Sequence, residues 1–159
     1  MDKMEAIKCI LVAEDEDDDM FFLRRAFERA DASHRLVHVK DGSMAIAYLL
    51  GDPPFSNRDQ YPLPDLLLLD LKMPKMDGFE VLATIRSQAA LQDLPVVILS
   101  SSALAVDIAT ATKLGANDYI VKPSSPDELR RIVLRLKERW LSRPVPTVEL
   151  SSTVAASTM

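Results

Sequence analysis

The chain has 159 residues, 48% of them hydrophobic, which suits one ordinary core and leaves no room for a second folded module. Its 19 basic and 24 acidic side chains give a net charge of −5, and the acids run without a break from Glu14 to Asp19, which argues against a nucleic-acid-binding surface. The single cysteine, Cys9, excludes an internal disulfide and every multi-cysteine metal site. No apolar run of about 18 residues occurs and the N-terminus is too charged for a signal sequence, so a soluble, cytoplasmic protein without membrane contact is expected.

Short continuous apolar runs alternate with stretches of helical spacing, the pattern of βα units around a parallel sheet buried on both faces. Five such units are expected in residues 7–142, between an N-terminal extension (1–6) and a flexible tail (143–159) rich in Ser, Thr, Ala and Pro. Strand one spans Ile7 to Ala13 and helix one runs from about Asp18 to Ala30, burying Leu23, Ala26, Phe27 and Ala30. Strand two is Leu36 to Val39. Asp41-Gly42 turns the chain and Ser43 caps a helix that buries Ala45, Ile46, Leu49 and Leu50. The loop Gly51 to Pro64 holds four prolines and reads as a surface insertion.

Strand three, Asp65 to Asp70, is four leucines between two aspartates. Helix three covers Gly78 to about Gln88, and Pro95 opens strand four, Val96 to Leu99. Helix four, about Leu104 to Leu114, stops at Gly115, a left-handed terminator; its apolar content is mostly alanine, so weak anchoring and mobility are expected. Strand five is Tyr119 to Val121. Ser125-Pro126-Asp127-Glu128 opens helix five with a serine cap, a proline in the first turn and a glutamate placed for a capping box. Its buried stripe is Leu129, Ile132, Val133, Leu136 and Trp140.

In an open parallel α/β sheet the ligand crevice lies at the carboxyl ends of the strands. Glu14 and Asp15 stand at the end of strand one, Asp70 at strand three, Ser100 at strand four and Lys122 at strand five. Three carboxylates held together repel one another unless a cation neutralises them, and a hard divalent ion such as Mg2+ suits oxygen ligands and a phosphoryl oxygen together. Lys122 and the Ser100 hydroxyl then meet phosphoryl oxygens, which leaves Asp70 as a nucleophile that forms an acyl phosphate. The plainer alternative, that Asp70 only caps the turn into Lys72-Met73-Pro74, leaves the other acids and the lysine at the same edge unexplained.

The set Glu14-Asp15, Asp70-Leu71-Lys72-Met73-Pro74-Lys75-Met76-Asp77-Gly78, Ser100, Tyr119 and Lys122-Pro123 resembles the receiver domains of two-component response regulators, from about Ile7 to Leu141. The Pro-rich loop and the Trp140 ending are similar to those of stand-alone receivers encoded beside bacterial phytochrome-type kinases. The resemblance implies a doubly wound, flavodoxin-like or CheY-like (βα)5 fold with strand order 2-1-3-4-5. It implies that Asp70 accepts a phosphoryl group from a sensor histidine kinase or a histidine phosphotransfer protein. Asp15, Glu14 through water, Asp70 and the main-chain carbonyl of Lys72 would hold Mg2+ or Mn2+. Ser100, Ser101 and Lys122 would bind the phosphoryl group, Ser100 and Tyr119 would form the switch pair, and Lys122-Pro123 would be a cis peptide. Lys72 and Ser102 are the positions expected to alter the lifetime of the phosphorylated state.

Other features have simpler readings. A calcium loop starting at Asp15 fails because Met20 stands where glycine is required and Ala26 where a bidentate glutamate is required. Asp17, Asp18 and Asp19 are instead expected to stabilise the N-terminus of helix one. His34 and His38 are expected to flank strand two away from the acidic edge, Cys9 to be a buried hydrophobe, and Met73 and Met76 to pack. Leu134 and Leu141, seven apart, suggest a second apolar line on helix five. Seven basic against three acidic residues from Lys122 to Arg143 surround it, which points to a homodimer or kinase contact on the helix four, strand five, helix five face.

Competing functions fit these residues less well. A haloacid-dehalogenase-type phosphatase needs an aspartate where Lys72 stands. A flavodoxin-like cofactor carrier would need a phosphate where the acids cluster. A pseudo-receiver scaffold that has lost phosphorylation fits poorly, because the metal-site acids, Ser100 and Lys122 are all present.

Overall fold

A computed structural model describes residues 7–30 and 34–142; the expected extension 1–6 and tail 143–159 lie outside the described residues. Strands and helices alternate as β1 (Cys9–Ala13), α1 (Asp17–Arg29), β2 (Arg35–Val39), α2 (Gly42–Leu50), β3 (Leu66–Leu69), α3 (Gly78–Ser87), β4 (Val96–Ser100), α4 (Ala105–Lys113), β5 (Asp118–Val121) and α5 (Pro126–Leu136). All strands are parallel, in the order β2-β1-β3-β4-β5. Strand one starts at Cys9, two residues later than expected, because the ladder opens with Cys9 opposite Arg35 and Ile7 is left 73% exposed.

The side-chain period of two sorts each central strand between two cores. Leu11, Ala13, Leu67, Leu69, Val96 and Ile98 pack with Val81, Leu82 and Ile85 of α3 and Ala45, Tyr48 and Leu49 of α2. Ile10, Val12, Leu66, Leu68, Val97 and Leu99 face Leu23, Ala26 and Phe27 of α1 and Ile132, Val133 and Leu136 of α5. This double burial is why the strands read as unbroken apolar runs.

Several local expectations change. The cap of α2 is Asp41, which accepts from the Met44 N–H at 2.8 Å, and the Ser43 hydroxyl donates to the same carboxylate. The helix therefore starts earlier, at Gly42; its buried face holds Tyr48, and Leu50 is exposed. Tyr48 is tolerated inside because its hydroxyl donates to the Pro62 carbonyl at 2.7 Å. Phe55 and Tyr61 stack around it, and Arg58 donates to the Tyr48, Leu49 and Tyr61 carbonyls, so the Pro-rich loop is a packed cover on the end of α2.

The Ser125 hydroxyl caps α5 by accepting from the Glu128 N–H, while the full reciprocal box forms at Asp77 and Glu80 of α3. In α4 only Ala111 is buried, and Gly115 takes the left-handed φ of 105° as expected. The expected outer line on α5 breaks up. Leu134 is 38% exposed, but Leu141 is buried, because α5 continues into a π-helical turn, Lys137–Leu141, closed by the Ser142 N–H on the Lys137 carbonyl. One extra residue in a turn rotates the residues beyond it by about 100°, which carries Leu141 onto the inner face.

Candidate functional site

The β1–β3 pairing runs to Ala13 opposite Leu69, so the next residues, Glu14 and Asp70, leave the sheet side by side. Backbone bonds hold this exit: the Asp70 N–H donates to the Ala13 carbonyl and the Glu14 N–H to the Val39 carbonyl. Past Asp70 the chain turns back at Gly78, whose N–H donates to the Leu71 carbonyl at 2.9 Å. A Cβ at Gly78 would lie 2.4 Å from the Asp70 carbonyl oxygen, so glycine is what lets α3 start against the end of β3. On the other side, the Lys122 N–H donates to the Ser100 carbonyl at 2.7 Å, which fixes the root of the lysine at the end of β4 and β5.

Four of the predicted side chains meet there. One carboxylate oxygen each from Glu14, Asp15 and Asp70 lies within 4.8 Å of the others. Lys122 Nζ is 2.7 Å from Glu14 Oε1 and 3.3 Å from Asp70 Oδ2, and all three of these side chains are largely buried. Glu14 Oε2 accepts from the Glu16 N–H, and Asp70 Oδ1 accepts from the Leu71 N–H at 2.8 Å. Burial pushes the Glu14 carboxyl up to about 7, against the hydrogen bond from Lys122, with the Asp70 charge pushing the same way as burial. Burial alone would lower Lys122; hydrogen bonds to Asp19 and Glu14 and the Asp70 charge raise it above the ordinary lysine range. An all-carboxylate donor set of this size, short of positive charge, fits a hard divalent cation.

Ser100 is buried at the end of β4, and its Oγ accepts from the Ser102 N–H at 3.1 Å. Ser101 is exposed. Tyr119 is half-buried on β5 and its hydroxyl donates to the Ser102 carbonyl at 2.8 Å, while the Ser102 hydroxyl donates to Asp107 Oδ2 at 2.5 Å. Ser102 thus joins β5 to the first turn of α4. Lys72 is exposed and lines a shallow depression with Asp15, Met73 and Asp107; Met73 and Met76 pack on the α2–α3 core as expected. Cys9 is buried, and burial pushes its thiol up.

Two expectations are corrected. Lys122-Pro123 is not cis; the cis peptide among the described residues joins Pro53 to Pro54. Prolyl peptides prefer trans by only about 0.5–1 kcal/mol, so the dipeptide itself does not fix the isomer. His38 lies inside β2 with its Nε2 2.7 Å from the Glu14 carbonyl oxygen, and so supports the acidic edge from which it was expected to stand apart. Sequence reading also missed Asp19, whose Oδ2 is 2.7 Å from Lys122 Nζ. In a run of six consecutive acids no local signal marks Asp19 as the one that turns toward Lys122.

Residues 10–134 match the response regulator receiver domain family. Response regulator Rcp1 of Synechocystis sp. is 33% identical over 140 residues, covering 88% of this chain and 93% of that protein. The structure of the phosphorylated cyanobacterial phytochrome response regulator RcpA is similar with a TM-score of 0.80 at 39% identity, covering 89% of this chain and 100% of that one. The Mn2+-bound form of response regulator Rcp1 gives 0.76 at 32% identity, covering 87% and 97%. Sheet order, strand-end chemistry and these likenesses agree: the chain belongs to the response regulator receiver domain family, a class of signalling modules.

Proposed function

We propose that this protein takes a phosphoryl group onto Asp70 from the phosphohistidine of a sensor kinase or phosphotransfer protein in the cytoplasm, and signals through protein contacts. The observation that carries this reading is a buried carboxylate at the tip of the central strand, with two further acids and a lysine ammonium converging on it. Asp70 attacks phosphorus, a phosphorus–oxygen bond forms, and the phosphorus–nitrogen bond to the donor imidazole breaks with its electron pair leaving on nitrogen. Glu14, Asp15, Asp70 and the Lys72 carbonyl would hold Mg2+ or Mn2+; that ion would spread the phosphoryl charge. Lys122 is already within reach of Asp70 and neutralises a phosphoryl oxygen, and Ser100 supplies a hydroxyl from the next strand.

Ser100 and Tyr119 act as the switch pair. Drawing Ser100 toward the phosphoryl group disturbs the Ser102 N–H on its Oγ and, through Ser102, the bonds to Tyr119 and Asp107. The state is read on the α4–β5–α5 face, where Leu104, Val106, Val121 and Leu134 are exposed, by a partner protein or a second copy of the chain. The likeness to response regulator Rcp1 extends over 93% of that protein, which supports a shared way of working. The donor approaches over α1, where exposed Phe21 and Phe22 line a cavity of about 370 Å3 that also reaches Asp70 and Lys122.

The test is intact-mass measurement after incubation with acetyl phosphate and Mg2+. The expected result is the addition of one phosphoryl group, absent in Asp70→Asn. An unlabelled parent, or a labelled Asp70→Asn, overturns the reading.

A further inference from the structure

Lys122 Nζ has three N–H donors and three carboxylates around it. The two short contacts, both 2.7 Å, are to Glu14 and Asp19; the contact to Asp70 is 3.3 Å. In the resting molecule the ammonium is therefore drawn toward α1 and away from the proposed phosphoacceptor. When a phosphoryl group arrives, one N–H must turn to it. Glu14 is less suited to release the ammonium, because its side chain is 6% exposed and water cannot readily replace the lost contact. Asp19 is 42% exposed and sits in the first turn of α1, where water and the helix N-terminus stabilise it once released.

We infer that Asp19 is a positioning residue that holds Lys122 in the unphosphorylated state and is exchanged for a phosphoryl oxygen on Asp70, so that it sets how readily the site takes a phosphodonor. The inference rests on the phosphoacceptor reading above. Asp19 competes with the donor for one N–H of Lys122, and its influence falls on donor binding more than on the transfer step.

The experiment is the rate of acyl-phosphate formation against acetyl phosphate concentration, at fixed Mg2+, for the parent, Asp19→Asn, Asp19→Glu and Asp18→Asn. Asp18 is exposed on the same turn and reports the effect of removing one negative charge there. Asp19→Asn is expected to lower the KM for acetyl phosphate by about threefold or more with a smaller change in maximal rate. Asp19→Glu is expected to restore the parent KM, and Asp18→Asn to stay near it. An unchanged or raised KM in Asp19→Asn, an equal fall in Asp18→Asn, or no rescue by glutamate overturns the inference while leaving the phosphoacceptor reading intact. A parent that takes no phosphoryl group overturns that reading and the inference with it. Thermal melts of each variant separate these results from loss of fold. In crystals with beryllofluoride and Mg2+, Lys122 Nζ is expected on a fluorine and off Asp19; a retained 2.7 Å pair overturns the exchange.

Discussion

At the scale of the residue, Glu14 links the site to pH. Its carboxyl is pushed by burial to about 7 in the folded chain, from an ordinary 4.5. Between those values the folded state keeps a proton that the unfolded chain gives up, so Glu14's contribution to stability is full below about pH 4.5 and is lost as pH rises through about 7. Urea midpoints of the metal-free protein are therefore expected to fall from about pH 5 to pH 7, and the fall to be smaller in Glu14→Gln. Equal pH dependence in both proteins would remove Glu14 as the source. Lys75 carries a different strain, a φ of 70° in the turn after Asp70. Its ammonium is 71% exposed and 3.8 Å from Asp41, a pair worth little. Lys75→Gly relieves the left-handed conformation and is expected to stabilise the fold by about 0.5–1 kcal/mol in chemical denaturation, net of the added freedom of the unfolded chain.

At the scale of the element, one side chain of α3 ties the turn after α4 to the segment before β4. Arg86 donates to the carbonyls of Gly115, Leu91, Gln92 and Leu94 and to the Asn117 side chain. Asn117 in turn accepts from the Val96 N–H at the start of β4. Arg86→Ala leaves several partly buried carbonyls without donors and is expected to cost roughly 2–3 kcal/mol in denaturant unfolding. Arg86→Lys should recover little of this, because a single ammonium does not reproduce the guanidinium fork. Full stability in Arg86→Lys would show that charge, not geometry, holds the turn.

At the scale of the whole molecule, the dominant imbalance is negative charge gathered at one sheet edge. Glu14, Asp19 and Asp70 surround the ammonium of Lys122, with the Asp15 carboxylate beside Glu14 and Asp70, in a chain already at −5. A cation bound by the folded state alone stabilises it by mass action, so millimolar Mg2+ is expected to raise the melting temperature. That rise should vanish in Asp15→Asn, while monovalent salt at equal ionic strength should not reproduce it. An identical rise in the variant would place the ion elsewhere. The α4–β5–α5 face is tested by sedimentation with and without beryllofluoride: association should appear or strengthen with the mimic and be reduced in Leu134→Glu. Monomers at all concentrations in both states would leave that face to a different protein.

Much of this molecule was legible in its amino-acid order because a parallel sheet imposes simple geometry. Strands such as Leu66–Leu69 must be apolar on both faces, and the residue after each strand is delivered to one edge, so Glu14, Asp15, Asp70, Ser100 and Lys122 could be grouped from spacing alone. Tertiary packing decided what spacing does not encode. It chose Asp19 as Lys122's close partner across 103 positions, seated His38 on the Glu14 carbonyl, and turned Leu141 inward through a π-turn. It also moved the α2 cap to Asp41 and left Lys122-Pro123 trans. Each of those outcomes turns on side-chain direction or on a difference of about 1 kcal/mol, which distant neighbours settle and local sequence does not.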